Sequence, residues 1–455
     1  MIGIDIIVSD IVASAGKKMV SVAAATAVGL GAIIGAGIFV LSGTAVALAG
    51  ADALLAFVVV GIVALIIALE LGELGSLLPY VKGASYSYTY KAFGSELGFI
   101  TGMLRYMALA VSISAIALGF GSYLSNFVFG SATGIYPIVF AIILIIALSI
   151  VNMFGVKKAA QTDLWLVSIK ILILLIFSGF AIFFALSTPG KLPVLQFSAS
   201  GSAIGDIFAA SVVVFFAYSG FQSISTITDR IEGGAKGYVK AIMASVVISI
   251  VVYVLVVLAM LMLVPASSYS TLLKADPLSY ALGISNAPSW LRLLVDAGAL
   301  IATASATVAM ILSSSRSLYQ MSEDRLLPKF FRKYDKKRDT AENGIIVSAL
   351  IGIGMLFSGN IYVIASIANF GLMFDYLLIG LDVMHFRRKG VKAPFRMPLY
   401  PYLPILGIAL LLAFFTGLSK IVLEIGVILI ILLLVIYYSL REIREKKVIR
   451  VKLFD

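Results

Sequence analysis

The first apolar stretch of the chain contains Val28-Gly29-Leu30-Gly31-Ala32-Ile33-Ile34-Gly35-Ala36-Gly37-Ile38-Phe39. Four glycines within nine residues make a helix easy to unwind, because glycine adopts non-helical backbone conformations without a steric penalty. Unwinding would turn free N–H groups, at the start of the following half-helix, toward an anion. The same glycines also fit close helix packing, since Gly31 and Gly35 form a small-xxx-small pair. The pattern alone leaves both interpretations open.

A second break is predicted in the sixth apolar stretch, which contains Phe215-Phe216-Ala217-Tyr218-Ser219-Gly220-Phe221. One glycine beside a serine is a weak signal, and core packing explains it equally well. Its position is more informative, because stretches one and six correspond if stretches 1–5 and 6–10 form two inverted repeats. Transporters with such repeats bind substrate near the bilayer midplane, where their helices are interrupted.

Composition identifies the class of protein. Of the 455 residues, 61% are hydrophobic and 13% are charged, whereas soluble domains carry about 25% charged residues. So few polar groups could not cover a soluble protein of this length, so a soluble enzyme is excluded and a membrane protein with many spans is indicated. The sequence contains no cysteine, which also excludes disulfides, thiolate metal sites and a cysteine nucleophile.

Twelve stretches are apolar and long enough to cross a bilayer, which takes roughly 20 helical residues. We predict a helix for each, because open sheet edges cannot be satisfied in lipid. The ninth is short. The predicted spans are 20–48, 53–78, 97–126, 134–153, 162–186, 203–228, 239–264, 290–315, 344–358, 361–384, 401–419 and 421–440.

The basic residues orient these spans. With the N-terminus inside, 28 of the 34 Lys and Arg residues lie on the cytoplasmic side and four lie outside. This bias predicts a plasma-membrane protein with both termini in the cytoplasm. Segment 79–96 is too polar to span and is expected along the cytoplasmic interface. The predicted organisation is a cytoplasmic segment 1–19, one transmembrane domain 20–440 (repeat one about 20–186, repeat two about 203–384, two extra helices about 401–440) and a basic cytoplasmic tail 441–455.

These motifs resemble those of the amino acid–polyamine–organocation (APC) superfamily of transporters, which have the LeuT-like fold. Residues 31–39 are similar to the glycine motif of the family's first helix, and residues 215–221 are similar to its sixth-helix motif. Two further motifs match at the end of the second helix and at the exit of the eighth. Their residues are Glu73, Leu74, Pro79, Gly83, Tyr86, Tyr88 and Gly94, followed by Arg316, Leu318, Tyr319, Met321, Asp324, Leu327 and Pro328. The resemblance covers nearly the whole chain. It implies an all-α integral membrane protein with a 5+5 inverted repeat, two extra helices, and helices 1 and 6 broken at the midplane.

The resemblance also implies an amino-acid site at the two breaks. An amino acid carries one charge of each sign, and half-helix ends offer partners for both. Its carboxylate would meet the amides of Gly35, Ala36 and Gly37. Its ammonium would meet backbone carbonyls, with aromatic gate candidates and the flexible glycine beside them. These residues are Ile34, Phe216, Ala217 and Ser219 for the ammonium, Tyr218 and Phe221 for the gate, and Gly220 between them.

The chain departs from the family at two places. Many relatives carry an acid after the glycine of the sixth-helix motif, where this chain has Gln222, and a Glu-Glu pair farther on, where it has Asp229-Arg230. The specificity of cationic amino-acid carriers is therefore not expected to apply. The low charge around the predicted pocket favours a neutral amino acid.

Lys170 lies within the fifth span, with only apolar and hydroxyl residues near it in sequence. A charged side chain costs about 2.5–3.5 kcal/mol at the centre of a membrane helix, so it usually has a function. Desolvation favours the uncharged amine, which makes Lys170 a candidate to exchange a proton. By resemblance, a lysine here replaces the sodium ion of LeuT-like symporters, and Ser305 and Thr307 are possible partners. Sodium coupling is therefore disfavoured. The alternatives are a snorkelling lysine and a fixed structural cation.

The other charged residues in the predicted spans give weaker indications of function than Lys170. Arg105 is expected to snorkel toward the cytoplasm, Glu70 has no assigned role, and Asp375 and Asp382 could serve in a gate or in packing. No pattern supports a metal site, a cofactor, an enzyme, a channel filter or nucleic-acid binding. We predict a proton-coupled amino-acid permease in the lipid bilayer. The alternative is an amino acid or polyamine exchanger in which Lys170 is a fixed cation.

Overall fold

The computed structural model describes residues 19–79, 85–132, 134–155, 159–187, 197, 202–270, 276–335, 337–358 and 360–439. The predicted N-terminal segment up to residue 18, Gly83 of the second-helix motif and the basic tail 441–455 lie outside these residues. Within them all named elements are helical, and non-helical backbone pairing is limited to two isolated bridges. The prediction of an all-helical protein is confirmed for this part of the chain.

Sixteen α-helices are described, and short 3₁₀ or π turns join some of them. In chain order they are α1 Val22–Ile33, α2 Ser42–Ala49, α3 Ala53–Leu77, α4 Ser85–Phe93, α5 Ser95–Phe129, α6 Tyr136–Phe154, α7 Ala159–Ser187, α8 Ser202–Tyr218, α9 Gly234–Leu263, α10 Ser267–Ser270, α11 Pro277–Ile284, α12 Ser289–Glu323, α13 Glu342–Leu356, α14 Ile361–Arg388, α15 Tyr402–Phe415 and α16 Lys420–Ser439.

The long apolar helices follow the predicted spans. In the described residues, nine helical stretches have the length and composition to cross a membrane, and Val22–Leu77, counted as one, contains predicted spans one and two. The predicted ninth and eleventh spans correspond to α13 and α15, which are apolar but shorter. The chain is therefore a helical protein with several membrane-spanning stretches, whereas the exact count of twelve and the inverted repeat stay predictions.

The two longest helices extend well beyond their predicted spans. Helices α5 and α12 each contain 35 residues, so each is about 52 Å long at 1.5 Å per residue. This exceeds a hydrocarbon thickness of about 30 Å, so both helices must be tilted or project beyond the lipid. Between the seventh and eighth predicted spans the structure contains two short helices, α10 and α11.

The helices pack into two neighbouring groups. Helix α9 lies against α1, α3 and α7, whereas α5 lies against α6, α12 and α14. The interrupted first span runs between the groups. On one side its Gly37 meets Ala217 of α8, and on the other Gly35 meets Ala306 of α12. Small residues permit these approaches, as is usual where membrane helices cross closely.

The segment expected along the cytoplasmic interface contains α4, which is packed against other helices. Helix α4 packs against α5 and α14, and Tyr86 and Tyr88 are buried. The Ser85 hydroxyl donates to Asp375 Oδ2 at 2.7 Å, and the Thr89 hydroxyl donates to Asp382 Oδ2 at 2.8 Å. The hydroxyls of α4 thus supply partners for buried carboxylates of α14, whereas the position of the segment relative to the membrane stays a prediction.

Arg105 does not snorkel, contrary to prediction. Its side chain is buried, and its Nη1 lies 3.0 Å from Asp375 Oδ2 and 2.6 Å from Ser85 Oγ. An acidic partner that is distant in sequence keeps the guanidinium inside the bundle. Asp375 therefore has a defined packing role, as the charge that ties α14 to α5.

A second ion pair joins α3 to α14. Arg387 donates through Nε to Glu73 Oε1 at 2.7 Å and through Nη2 to Glu73 Oε2 at 2.6 Å. The Met397 amide donates to the same carboxylate at 2.8 Å. Such a bidentate pair fixes direction as well as distance. Glu70, one turn earlier, is buried and packs beside Gly380 of α14.

The outer helices expose apolar side chains. Most of α16 is exposed, and its exposed large side chains are Ile421, Ile425, Val427, Ile428, Ile431, Leu432, Val435, Ile436 and Tyr438. An apolar surface of this extent is not tolerated in water and indicates contact with lipid.

We expect the Arg105–Asp375 pair to be essential for stability. Replacing Arg105 with Met should lower the free energy of unfolding by about 3–5 kcal/mol, because Asp375 would be left as an uncompensated buried charge. Adding Asp375→Asn should recover most of the loss, since Asn removes the charge and still bonds Ser85. Denaturant unfolding in micelles measures both effects.

The control is the exposed pair Arg316–Asp339, which has an N–O distance of 2.8 Å and side chains 43% and 56% exposed. There the same substitutions should change the free energy of unfolding by less than about 1 kcal/mol. Equal losses at both pairs would contradict the assignment.

Candidate functional site

The first span is interrupted at the predicted glycines. Helix α1 ends at Ile33, and its last turn closes with the Ile34 amide donating to Leu30 O at 2.7 Å. The chain is non-helical at Ile34 and Gly35 and then continues through a π turn, Gly37–Leu41, into α2. The helix therefore breaks within the segment that the sequence analysis selected.

The sixth span is interrupted at the predicted serine and glycine. Helix α8 ends at Tyr218, and the chain resumes as a 3₁₀ helix at Phe221. Gly220 has φ of 117°, a left-handed conformation that glycine adopts without strain. The Ser219 amide and hydroxyl both donate to Phe216 O, at 3.2 and 2.7 Å. These bonds satisfy a carbonyl that the end of the helix releases.

The two breaks touch each other. A Cβ built on Gly37 would lie 2.2 Å from Ala217 Cα, and one built on Gly220 would lie 2.6 Å from Ala32 O. Neither position can accept a larger residue without moving backbone. Both interpretations of the glycines therefore apply, because the glycines interrupt the helices and also permit close packing.

The carbonyls predicted for the substrate ammonium accept hydrogen bonds from the chain itself. Ile34 O accepts from Lys170, Phe216 O from Ser219, and Ala217 O from the hydroxyl of Tyr253. Because a carbonyl has two lone pairs, Ile34 O and Ala217 O could each still receive an N–H of a ligand, whereas Phe216 O already accepts from both the amide and the hydroxyl of Ser219. On the amide side, Gly35 N donates to Ile33 O at 2.8 Å. The roles of Gly35, Ala36 and Gly37 toward a carboxylate stay predictions.

Lys170 lies at the first break. It is only 1% exposed, and its Nζ lies 3.4 Å from Gly31 O and 3.2 Å from Ile34 O. Helix α7 reaches this place because Gly31 leaves room for Val167, one turn before the lysine. The ammonium thus meets the C-terminal end of α1, where the helix dipole favours a cation. A snorkelling lysine is inconsistent with this geometry.

The predicted hydroxyl partners lie on the neighbouring α12. Ser305 Oγ donates to Ala302 O at 3.0 Å, and Thr307 Oγ1 donates to Thr303 O at 2.9 Å. Their donated bonds therefore stay within their own helix. Whether either oxygen takes part in coupling stays a prediction.

The gate candidates are packed among aromatic side chains. Tyr218 lies 5.1 Å from Tyr253 between ring centroids, and its Oη reaches toward Gly61 of α3. Phe221 stacks on Tyr376 of α14 at 5.8 Å. Tyr218 therefore fills the interface between α3 and α9, whereas Phe221 ties the sixth span to α14.

Two side chains that hold the breaks are not predicted from the sequence to do so. Tyr253 donates to a carbonyl of each break. Gln222 Oε1 accepts from Gly220 N at 2.9 Å and from Tyr376 Oη at 2.7 Å. One signal was available for Tyr253, because Ser245 and Ser249 precede it at four-residue intervals. This spacing places the three polar groups on one face of a helix.

We expect Gly37→Ala to abolish transport, because its Cβ would displace the backbone at Ala217. Uptake by reconstituted protein measures the effect. The matched control is Gly354→Ala in α13, where nothing lies within 4 Å of the added Cβ. That variant should keep wild-type uptake and gain up to about 1 kcal/mol of helix stability. Full activity of Gly37→Ala would contradict the prediction, because it would show that transport does not need the close contact between Gly37 and Ala217.

Comparison with known proteins agrees with this architecture. The family model described as amino acid permease matches residues 25–453. A methylthioribose transporter of Bacillus subtilis (strain 168) is 26% identical, with 86% of each chain covered. The branched-chain amino acid permease BcaP of the same organism is 26% identical over 91% of this chain and 90% of its own length.

A third relative is the vacuolar cationic amino acid transporter 2 of Arabidopsis thaliana. It is 26% identical over 79% of this chain and 58% of its own length. The family model covers nearly the whole chain, and the helices include several apolar spans with two touching breaks. The family assignment therefore rests on more than one motif. The chain belongs to the amino acid permease family of the APC superfamily and is a membrane transporter.

Proposed function

We propose that the chain is a secondary active transporter that carries a neutral amino acid together with a proton, by alternating access. Lys170 would supply the charge that a sodium ion supplies in LeuT-like symporters. The protein would lie in the plasma membrane with both termini in the cytoplasm, and it would need no metal or cofactor.

The observation that carries the proposal is the placement of Lys170. Its buried ammonium bonds two carbonyls, Gly31 O and Ile34 O, at the end of α1. A metal cation there would need those same oxygens, and the ammonium would repel it. Sodium coupling at this place is therefore disfavoured, whereas loss of a proton from Lys170 would directly alter the first break.

The substrate class follows from the chemistry of the breaks. Two helix C-terminal ends, at Ile33 and Tyr218, converge and present carbonyls to a cationic group. An amino acid supplies such a group, whereas an uncharged sugar derivative does not. The aromatic rings of Tyr218, Phe221 and Tyr376 surround the breaks with apolar surface, which suits an apolar side chain. The similarity to a branched-chain permease supports the same choice.

The second candidate is an exchanger in which Lys170 is a fixed structural cation. The two hydrogen bonds that hold the ammonium favour a permanent charge as much as a titrating one. The candidates differ in one respect: a fixed cation is replaceable by arginine, which does not lose its proton.

The test is uptake of labelled amino acids into proteoliposomes under an imposed inward proton gradient. Wild type should accumulate amino acid only with the gradient. Lys170→Ala should lose roughly tenfold or more of this uptake, because two charge-assisted hydrogen bonds disappear. Lys170→Arg should fail as a symporter but keep exchange with amino acid trapped inside, since it preserves the charge without releasing a proton.

Gradient-driven accumulation by Lys170→Arg would make the residue a fixed cation. Wild-type uptake that ignores the gradient but needs internal amino acid would favour the exchanger. If no amino acid moves in either format, the proposed substrate class is wrong.

A further inference from the structure

Tyr253 connects the two breaks. It lies within α9 and is fully buried. Its hydroxyl is 2.8 Å from Ile33 O, at the end of α1, and 3.0 Å from Ala217 O, near the end of α8. The rings of Tyr218 and Phe57 flank it, with centroids 5.1 and 6.0 Å away. The hydroxyl is thus held between two negative helix ends.

This arrangement has an imbalance. A phenol has one hydrogen to donate, whereas two carbonyls converge on Tyr253, so they share that hydrogen. A protonated amine has three N–H donors. An ammonium arriving beside Ala217 O would therefore satisfy these carbonyls better than the phenol does, and Tyr253 could then donate fully to Ile33 O.

A transporter that performs net uptake must return to its outward-facing conformation without substrate after the amino acid leaves. At that stage the carbonyls of both breaks no longer accept hydrogen bonds from the N–H groups of the substrate ammonium. Unsatisfied backbone groups in the membrane interior cost several kcal/mol each. In this structure Lys170 donates to Ile34 O, Ser219 donates to Phe216 O, and the Gly35 amide donates to Ile33 O. Tyr253 is the side chain that donates to Ala217 O.

We propose that Tyr253 is a positioning residue that substitutes for the substrate ammonium while the carrier returns empty. The proposal rests on the proposed function, since it presumes an amino-acid substrate and net uptake. Its hydroxyl favours return without substrate and competes weakly with substrate binding. Tyr253 thereby permits uptake without obligatory exchange.

The test is Tyr253→Phe, which keeps the ring and removes only the hydroxyl. Net uptake should fall about tenfold, the equivalent of one lost hydrogen bond to a buried partner. Exchange with internal amino acid should stay within about twofold of wild type, because a loaded carrier never needs the missing donor. The KM for the amino acid should fall, since its ammonium no longer competes with a phenol.

The matched control is Tyr238→Phe. This tyrosine lies on the same helix, is equally buried, and bonds Ser225 Oγ at 2.8 Å instead of a carbonyl of either break. It should change net uptake and exchange in the same proportion. The probes are labelled L-amino acids, supplied singly, and kinetics use the one that wild type takes up fastest.

Thermal unfolding in detergent gives a second measurement if Tyr253→Phe is unstable. Added amino acid should raise the melting temperature of this variant by more than it raises that of wild type, because the ammonium replaces the lost donor. Equal shifts would overturn the proposal, as would parallel loss of uptake and exchange with an unchanged KM. Obligatory exchange by wild type would also overturn it, whereas a wild type that moves no amino acid would refute the proposed function itself.

Discussion

The fold depends on one constraint: every backbone carbonyl released inside the membrane needs a donor. A continuous helix satisfies its own carbonyls, but this chain interrupts two helices at places where they touch. Ile33, Ile34, Phe216 and Ala217 consequently present carbonyls inside the bundle. Three side chains supply donors: Lys170 on α7 and Tyr253 on α9 reach in from other helices, and Ser219 lies in the second break itself.

Close approach is the second half of the same arrangement. Donors on separate helices reach these carbonyls only if the helices cross at short distance. Gly31 lets α7 approach with Val167, Gly35 lets α12 approach with Ala306, and Gly37 meets Ala217. The glycines therefore do more than weaken the helix. They bring the partners of the exposed carbonyls within hydrogen-bond distance.

Local sequence predicted much of this arrangement because it depends on composition. The positions of both breaks, the helices and the unusual Lys170 all follow from glycine content, apolar runs and an isolated charge. Pairings between distant helices left no such trace. Nothing near Arg105 indicates Asp375, some 270 residues away, so a snorkelling arginine was the reasonable expectation.

The same limit explains why the packing of α4 and the roles of two side chains were not predicted. Residues 85–93 are polar enough for a membrane surface, but nothing in their sequence indicates that Ser85 and Thr89 meet buried carboxylates of α14. Gln222 is noticed in sequence as a departure from the family, yet its partner Tyr376 lies 154 residues away. Tyr253 follows two serines at helical spacing, which predicts a polar face but not the pair of carbonyls that it meets.

The geometry of one helix end suggests how proton and substrate could act on each other under the proposed function. Gly31 and Ile34 are three residues apart and so share a face of α1, which explains why one ammonium reaches both carbonyls. Ile33 precedes Ile34 by one residue and is turned by about 100°, so its carbonyl faces away from Lys170. It accepts from the amide of Gly35 and from the hydroxyl of Tyr253 on another helix. Lys170 donates to the carbonyls of Gly31 and Ile34 on one face, and Tyr253 donates to the carbonyl of Ile33 on the other. Because both faces belong to the same short segment, a change of donor on either one shifts the backbone that the other holds. Coupling would then need no path between distant sites, only two donors on different faces of one unwound turn.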